Sequence, residues 1–174
     1  AVGRNGLVVE PGPEGKVVER FVINPYDVIV PEDPWPMFPA KLHVVTRPEV
    51  IEREALLEIN QPWDGLLALE TGRNLRAYLF LSIARVIPCK GSEPGKVVAL
   101  IVTKDIWSLR PGFDFVLVGP QLQYLALMFS EQNFLGRRKV VGIDFALDLA
   151  TYLAGQRYRD PRLFGSRLSL GERF

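Results

Sequence analysis

Apolar and polar residues are spaced along this chain in patterns that predict both helices and strands. Apolar residues fall at helical spacing within residues 15–23 and again within residues 72–86, so a helix is predicted over each segment. Residues 97–103 form a continuous apolar run, which is typical of a strand buried on both faces. Shorter apolar runs predict two further strands, over residues 113–118 and 124–129.

The last clear element is predicted to be a long helix over residues 138–156. Its apolar stripe would consist of Val140, Ile143, Leu147 and Ala150. The order of the elements indicates an α/β (α+β) fold, in which helices pack on one twisted mixed sheet within a single compact domain over residues 1–174. The proline-rich residues 31–39 are predicted to form an irregular surface segment.

The composition indicates the net charge of this domain and its cellular environment. The 174 residues are 48% hydrophobic with a formal net charge of +1, as in an ordinary globular protein. Residues 137–174 carry eight Lys or Arg against four Asp or Glu, a basic surface that could meet an acidic partner. Polar residues interrupt the longest apolar stretch, residues 113–129, so no membrane association is predicted. A single cysteine and no recognisable signal peptide predict a cytoplasmic location, and the excess of Arg over Lys indicates a heat-adapted source.

Three segments in the second half of the chain follow one another in a distinctive order. Residues 99–107 read Ala-Leu-Ile-Val-Thr-Lys-Asp-Ile-Trp, residues 111–119 read Pro-Gly-Phe-Asp-Phe-Val-Leu-Val-Gly, and Asp160-Pro161-Arg162 follows the predicted helix. In this order they resemble the archaemetzincins, a family of metzincin-type zinc peptidases. The resemblance implies a metzincin-like domain whose active-site helix is residues 138–156.

The resemblance also implies roles for residues of that helix and just beyond it. Leu147, Thr151 and Arg157 stand where the family has its zinc-binding histidines, and Asp148 stands where it has the general-base glutamate. Leucine cannot bind zinc, a threonine hydroxyl is a poor ligand, and an arginine carries a fixed positive charge that repels the cation. The implied protein is therefore a peptidase homologue that has lost its zinc, uses no other cofactor and is inactive as a peptidase. Asp148 is its candidate catalytic residue.

Binding of a peptide or protein is the function that such a homologue would retain. In metzincins an edge strand above the active-site helix pairs with the substrate backbone. The corresponding residues here are Phe113, Asp114, Phe115, Val116, Leu117 and Val118. Two alternatives stay open, a hydrolase that uses the carboxylates of Asp144 and Asp148 without zinc, and a structural or assembly subunit. A Cys89–His43 dyad is formally possible, and no nucleic-acid binding is predicted because the tryptophans do not interleave with basic residues.

Overall fold

The computed structural model describes residues 1–29, 31, 43–149, 151–166 and 168–173. The chain divides into two compact units, Ala1–Ile106 (unit 1) and Trp107–Phe174 (unit 2). The prediction of one domain over residues 1–174 stays a prediction. The irregular segment predicted over residues 31–39 lies outside the described residues apart from Pro31.

The described part of unit 1 contains a three-stranded sheet and two helices. Its elements are β1 (Val17–Tyr26), α1 (Pro48–Glu52), α2 (Gly65–Arg76), β2 (Leu81–Lys90) and β3 (Lys96–Asp105), preceded by a 3-10 turn at Gly3–Asn5. The strands lie in the order β1-β3-β2, with β3 parallel to β1 and antiparallel to β2. This order puts the continuous apolar run of β3 in the middle of the sheet, where most of its residues are buried.

Prolines mark the outer strands of this sheet. Pro25 lies in β1 and Pro88 in β2, whereas β3 contains no proline. Proline has no N–H to donate to a strand ladder, so it is confined to outer strands and bulges. The outer edge of β2 is itself partly paired, because the N–H of Glu10 donates to the carbonyl oxygen of Pro88 over 3.0 Å.

Helix α2 begins at a side-chain cap and packs closely on β2. The Asp64 carboxylate accepts hydrogen bonds from the N–H groups of Leu66 and Leu67, at 2.7 and 3.0 Å, which satisfies donors that the helix itself leaves unpaired. A Cβ at Gly72 would lie 3.3 Å from the carbonyl oxygen of Ala84. The close approach of helix and sheet at this point therefore favours glycine.

The buried face of α2 should contribute strongly to the stability of unit 1. Leu75 is fully buried and packs with Phe80 and Ile101 in the core, so Leu75→Ala should lower the free energy of unfolding by about 2–5 kcal/mol. Leu69 on the same helix is 59% exposed, and Leu69→Ala should change it by less than ~0.5 kcal/mol. Urea unfolding measures both variants, and equal losses would contradict this packing.

Unit 2 is an antiparallel sheet in which each strand is joined to the next. The strands are β4 (Leu109–Val118), β5 (Gln121–Phe134), β6 (Lys139–Asp148), β7 (Thr151–Asp160) and β8 (Leu170–Arg173), with a 3-10 turn at Leu163–Gly165 before β8. Their order in the sheet follows the chain. The register brings Phe113, Leu127, Phe145 and Ala154 into one row across four strands.

The predicted long helix over residues 138–156 is wrong, because these residues form β6 and half of β7. Every second residue of β6 is apolar, namely Val141, Ile143, Phe145 and Leu147. That period of two belongs to a strand, whereas the helical stripe was drawn from other positions in the same segment. The α/β fold class with a long C-terminal helix is therefore wrong, and the described chain is mostly β-strand.

Two shorter helices were also predicted incorrectly. Most of residues 15–23 lies in β1, because valine and other β-branched residues favour strands. The helix predicted over residues 72–86 begins at Gly65, ends at Arg76 and is followed by β2. The strands predicted over 97–103, 113–118 and 124–129 lie within β3, β4 and β5.

Candidate functional site

One face of the unit 2 sheet carries exposed apolar side chains. Residues opposite each other in neighbouring strands point to the same face, so the register defines this apolar face. Its residues are Phe113, Phe115, Leu125, Leu127, Phe129, Ile143, Phe145, Leu147 and Tyr152. Phe113 is 72% exposed, Ile143 62% and Tyr152 77%. An apolar patch of this extent marks a binding surface.

The opposite, polar face of the sheet carries small and charged residues. It includes Gly112, Asp114, Ala126, Met128, Ser130, Gly142, Asp144, Ala146, Asp148, Thr151, Gly155 and Arg157, with the larger Val116, Tyr124 and Leu153 toward one end. At its centre Asp144 is only 8% exposed, with Arg157 Nη2 2.6 Å from its Oδ1 and Arg173 Nη2 3.4 Å from its Oδ2. Two guanidinium groups therefore compensate the buried carboxylate, which would be costly to leave unpaired.

Gly142 leaves room for this ion cluster. A Cβ at this position would lie 3.0 Å from the carbonyl oxygen of Phe129 and 3.4 Å from Arg157 Nε. The contact with the Phe129 oxygen is tighter than ordinary van der Waals packing, and the contact with Arg157 Nε is at its lower limit. Glycine thus lets the Arg157 side chain lie against β6 and reach Asp144.

The residues predicted as the site of a former zinc peptidase do not form one cluster. Leu147 lies on the apolar face, whereas Asp148 and Thr151 pair with each other across β6 and β7, and Arg157 contacts Asp144. Four residues along a strand span ~13 Å, which separates Asp144 from Asp148. Among the described residues no group of three His, Cys, Asp or Glu side chains could hold a metal ion. The roles assigned to these residues, and the absence of a cofactor, stay predictions.

Unit 1 contains a second polar cluster at the end of β3. Asp105 is fully buried, and its Oδ2 accepts hydrogen bonds from the N–H and the hydroxyl of Thr46, at 2.7 and 2.8 Å. His43 Nδ1 lies 3.0 Å from Asp27 Oδ1, and its Nε2 lies 3.8 Å from Asp105 Oδ2. Burial raises the pKa of Asp105 to about 6, although the bonds from Thr46 and the nearby His43 act in the opposite direction.

Cys89 and His43 lie in different surroundings. Cys89 packs with Val98 and Leu100 in the core, and burial raises the pKa of its thiol. A raised pKa disfavours the thiolate that a nucleophilic cysteine needs. The geometry therefore gives no support to a Cys89–His43 dyad.

The apolar face is the surface that the sequence analysis missed. Its signal is the alternation within residues 141–148, where apolar residues alternate with Gly, Asp, Ala and Asp. Residues 125–129 show a weaker form of the same pattern, Leu-Ala-Leu-Met-Phe. Two neighbouring segments with one period of two indicate a hairpin with one apolar face.

These features define the class of the protein, a mostly β chain whose antiparallel sheet exposes an apolar face. No family model and no curated protein matches the sequence. The fold is similar to that of BamA from Haemophilus ducreyi, in a crystal structure lacking POTRA domains 1–3, with a TM-score of 0.72 and 14% sequence identity. The similarity covers 91% of this chain and 27% of the BamA chain. At this identity it shows the fold alone, and this chain spans about a quarter of the BamA chain.

This comparison corrects the family and the function predicted from sequence. The resemblance to archaemetzincins is wrong, and so is the inactive-peptidase function that it implied, because the matched segments lie in a BamA-like fold of strands. Short apolar strands and an Asp-Pro-Arg turn occur in many folds, so their order alone was poor evidence of a family. The predicted cytoplasmic location is corrected as well, because the chain has the fold of BamA. Among the described residues, no helix has the length and hydropathy needed to cross a membrane.

Proposed function

We propose that this chain acts in an outer membrane, in the assembly of other membrane proteins, with the apolar face of unit 2 against lipid hydrocarbon. The observation that carries the proposal is the exposed apolar face backed by a polar face on the same strands. The fold similarity to BamA supports it. The predicted binding of a peptide or protein is part of this proposal, with a strand of another polypeptide as the partner.

The energetics and the strand lengths support a lipid environment. Transfer of the exposed parts of the apolar face from water to hydrocarbon would contribute on the order of 10 kcal/mol. Strands β4, β6 and β7 are each 10 residues long. A tilted strand of roughly 9–11 residues spans the hydrocarbon layer of a bilayer.

The outer edge of β4 is the proposed site of strand pairing. Backbone N–H and C=O groups in hydrocarbon must all be paired, and β4 is an outer strand of the described sheet. Residues 113–118 would therefore pair with a strand from elsewhere in the protein or from another polypeptide. The stacked rings of Phe113 and Phe115, 6.4 Å apart, favour a partner strand with apolar residues opposite them.

Site-specific labelling tests the lipid contact. In a Cys89→Ala background, Phe145→Cys and Leu147→Cys place an environment-sensitive fluorophore on the apolar face, and Ala146→Cys places it on the polar face. The labelled chains are reconstituted into phosphatidylcholine vesicles that carry a nitroxide on the acyl chains. We expect strong quenching at positions 145 and 147 and weak quenching at 146, since neighbouring strand residues point to opposite faces.

Asp148→Cys completes the matched set, as the polar-face neighbour of Leu147. Alternating quenching along the four consecutive positions is the signature of a strand with one lipid-facing side. Quenching that is equal at all four positions, or absent from all four, would refute the proposed lipid contact.

A further inference from the structure

The two ends of the unit 2 sheet differ in charge. Strands β5 and β7 run in the same direction, so the turn at residues 135–138 and the described residues 161–166 and 168–169 lie at one end of the sheet. This basic end carries Arg110, Arg137, Arg138, Lys139, Arg159 and Arg162 against Glu131, Asp160 and Glu172. At the other end, Asp148 is the only charged residue within the described residues 117–123, 147–149 and 151–152.

Two bulky apolar residues at the basic end have left-handed backbones. Leu135 has φ 56° and Phe164 has φ 52°, in a region that favours glycine and asparagine and strains larger residues. Phe164 is 98% exposed and Leu135 is 50% exposed, so burial within the unit does not offset the strain. Exposed apolar side chains held at such positions are candidates for a contact outside the unit.

Hydrogen bonds hold both turns in these conformations. Asn133 is 1% exposed; its carbonyl oxygen accepts from the N–H of Gly136 at 2.7 Å and its Oδ1 accepts from the N–H of Arg138 at 2.9 Å. After β7, the N–H of Leu163 donates to the carbonyl oxygen of Leu168 at 2.8 Å. The turns are thus preorganised, with apolar tips next to cationic residues.

We propose that the basic end binds the headgroups of an anionic lipid bilayer, with Leu135 and Phe164 entering the boundary of the acyl chains. The inference rests on the proposed function and adds the orientation of the sheet relative to the lipid headgroups. Phosphate oxygens accept hydrogen bonds from guanidinium groups, while the apolar tips leave water. A bilayer surface offers phosphate groups and acyl chains together, whereas an acidic protein would need a separate apolar pocket for each of the two tips.

Partition of the chain from dilute detergent into two kinds of vesicle tests this proposal. One kind is pure phosphatidylcholine, and the other contains one third phosphatidylglycerol. We expect binding to be roughly 10- to 100-fold tighter to the anionic vesicles at low salt, and this preference to fall as salt rises. The triple variant Arg137→Gln, Arg138→Gln, Arg162→Gln should lose most of the preference and keep its binding to neutral vesicles.

A matched control removes the same charge from unit 1, through Arg20→Gln, Arg53→Gln and Arg73→Gln, and should keep the preference for anionic vesicles. Equal binding to both vesicles by the unmodified chain, or equal loss in the two triple variants, would overturn the proposal. Failure of the proposed lipid contact itself is distinguishable. In that case neither vesicle binds the chain, and a probe at position 145 is not quenched by nitroxide on the acyl chains.

A second variant separates the tips from the stability of the unit. Asparagine adopts the left-handed conformation with less strain, so Leu135→Asn with Phe164→Asn should keep or raise the melting temperature in detergent. The same variant should weaken binding to anionic vesicles by roughly tenfold. Unchanged binding would overturn the insertion of the tips into the bilayer.

Discussion

Leu127→Lys is expected to lower the partition of the chain into vesicles by roughly 30- to 1,000-fold. Leu127 lies in β5, between Phe113 and Phe145 in the register of the apolar face. A lysine on the lipid-facing side of a strand costs about 2–4 kcal/mol near the middle of the bilayer, and each 1.4 kcal/mol is about tenfold in an equilibrium constant. Partition into phosphatidylcholine vesicles, followed by flotation, measures the loss.

Met128→Lys is the matched control, one residue further along the same strand. Met128 lies on the polar face, in the row that contains Gly112 and Asp144. Its ammonium group would be near the Asp144 carboxylate and away from lipid, so partition should change by less than ~fivefold. If both lysines reduced partition equally, the two faces would not differ in their contact with lipid.

The second large effect concerns pH and the buried Asp105. Burial raises the pKa of this carboxyl from 3.8 to about 6. Below the unfolded pKa, both states hold the proton and the group has no effect on stability. As pH rises toward 6, the unfolded chain releases the proton while the folded chain keeps it, so folding becomes less favourable. The expected loss is about 3 kcal/mol, complete above pH ~6 and absent at low pH.

Asp105→Asn should remove this pH dependence and raise the stability of unit 1 at neutral pH. The asparagine Oδ1 can still accept the two hydrogen bonds from Thr46, but it does not titrate. The measurement is urea unfolding between pH 4 and 7. Unfolding is monitored by tryptophan fluorescence, to which the buried Trp63 contributes. Only the difference between the variant and the unmodified chain is used, because other carboxylates also titrate.

Asp114→Asn, at an exposed carboxylate, serves as the control and should leave the slope with pH unchanged. A variant at position 105 with the same slope as the unmodified chain would contradict the raised pKa of Asp105. Loss of stability at every pH would instead mean that Thr46 and His43 need the carboxyl group itself, whatever its charge.

The sequence alone was sufficient to predict the strands that are formed by short, largely apolar runs of residues. Residues 97–102 are apolar without interruption, which is the pattern of a strand buried on both faces. The runs over residues 113–118 and 124–129 likewise predicted parts of β4 and β5. In each of these segments a single period fits, so local pattern and tertiary structure agree.

The sequence alone could not decide between a helix and the hairpin of β6 and β7, because the residues fit the period of a helix and the period of a strand at once. Val140, Ile143 and Leu147 match a helix, whereas Ile143, Phe145 and Leu147 match a strand. The choice depends on partners distant in the chain. Pairing with β5 satisfies the backbone of β6.

Gly142 weakens both a helix and a strand in isolation. In the sheet, a Cβ at this position would lie 3.0 Å from the carbonyl oxygen of Phe129 and 3.2 Å from Ser130 Cβ on β5, and 3.4 Å from Arg157 Nε. The absence of a side chain at position 142 is required by these contacts in the folded sheet, and nothing in the local sequence requires it.

The role of the apolar face was also undetermined by sequence. An apolar residue in a pattern looks the same whether a core or lipid covers it, because both environments remove it from water. The composition therefore indicated an ordinary globular protein, and a family with a soluble fold matched it. The exposures of Phe113, Ile143 and Tyr152 became known only when the strands were arranged in one sheet. The sequence determined which residues are apolar, and the tertiary structure decided which of them lie on a common face away from the protein core.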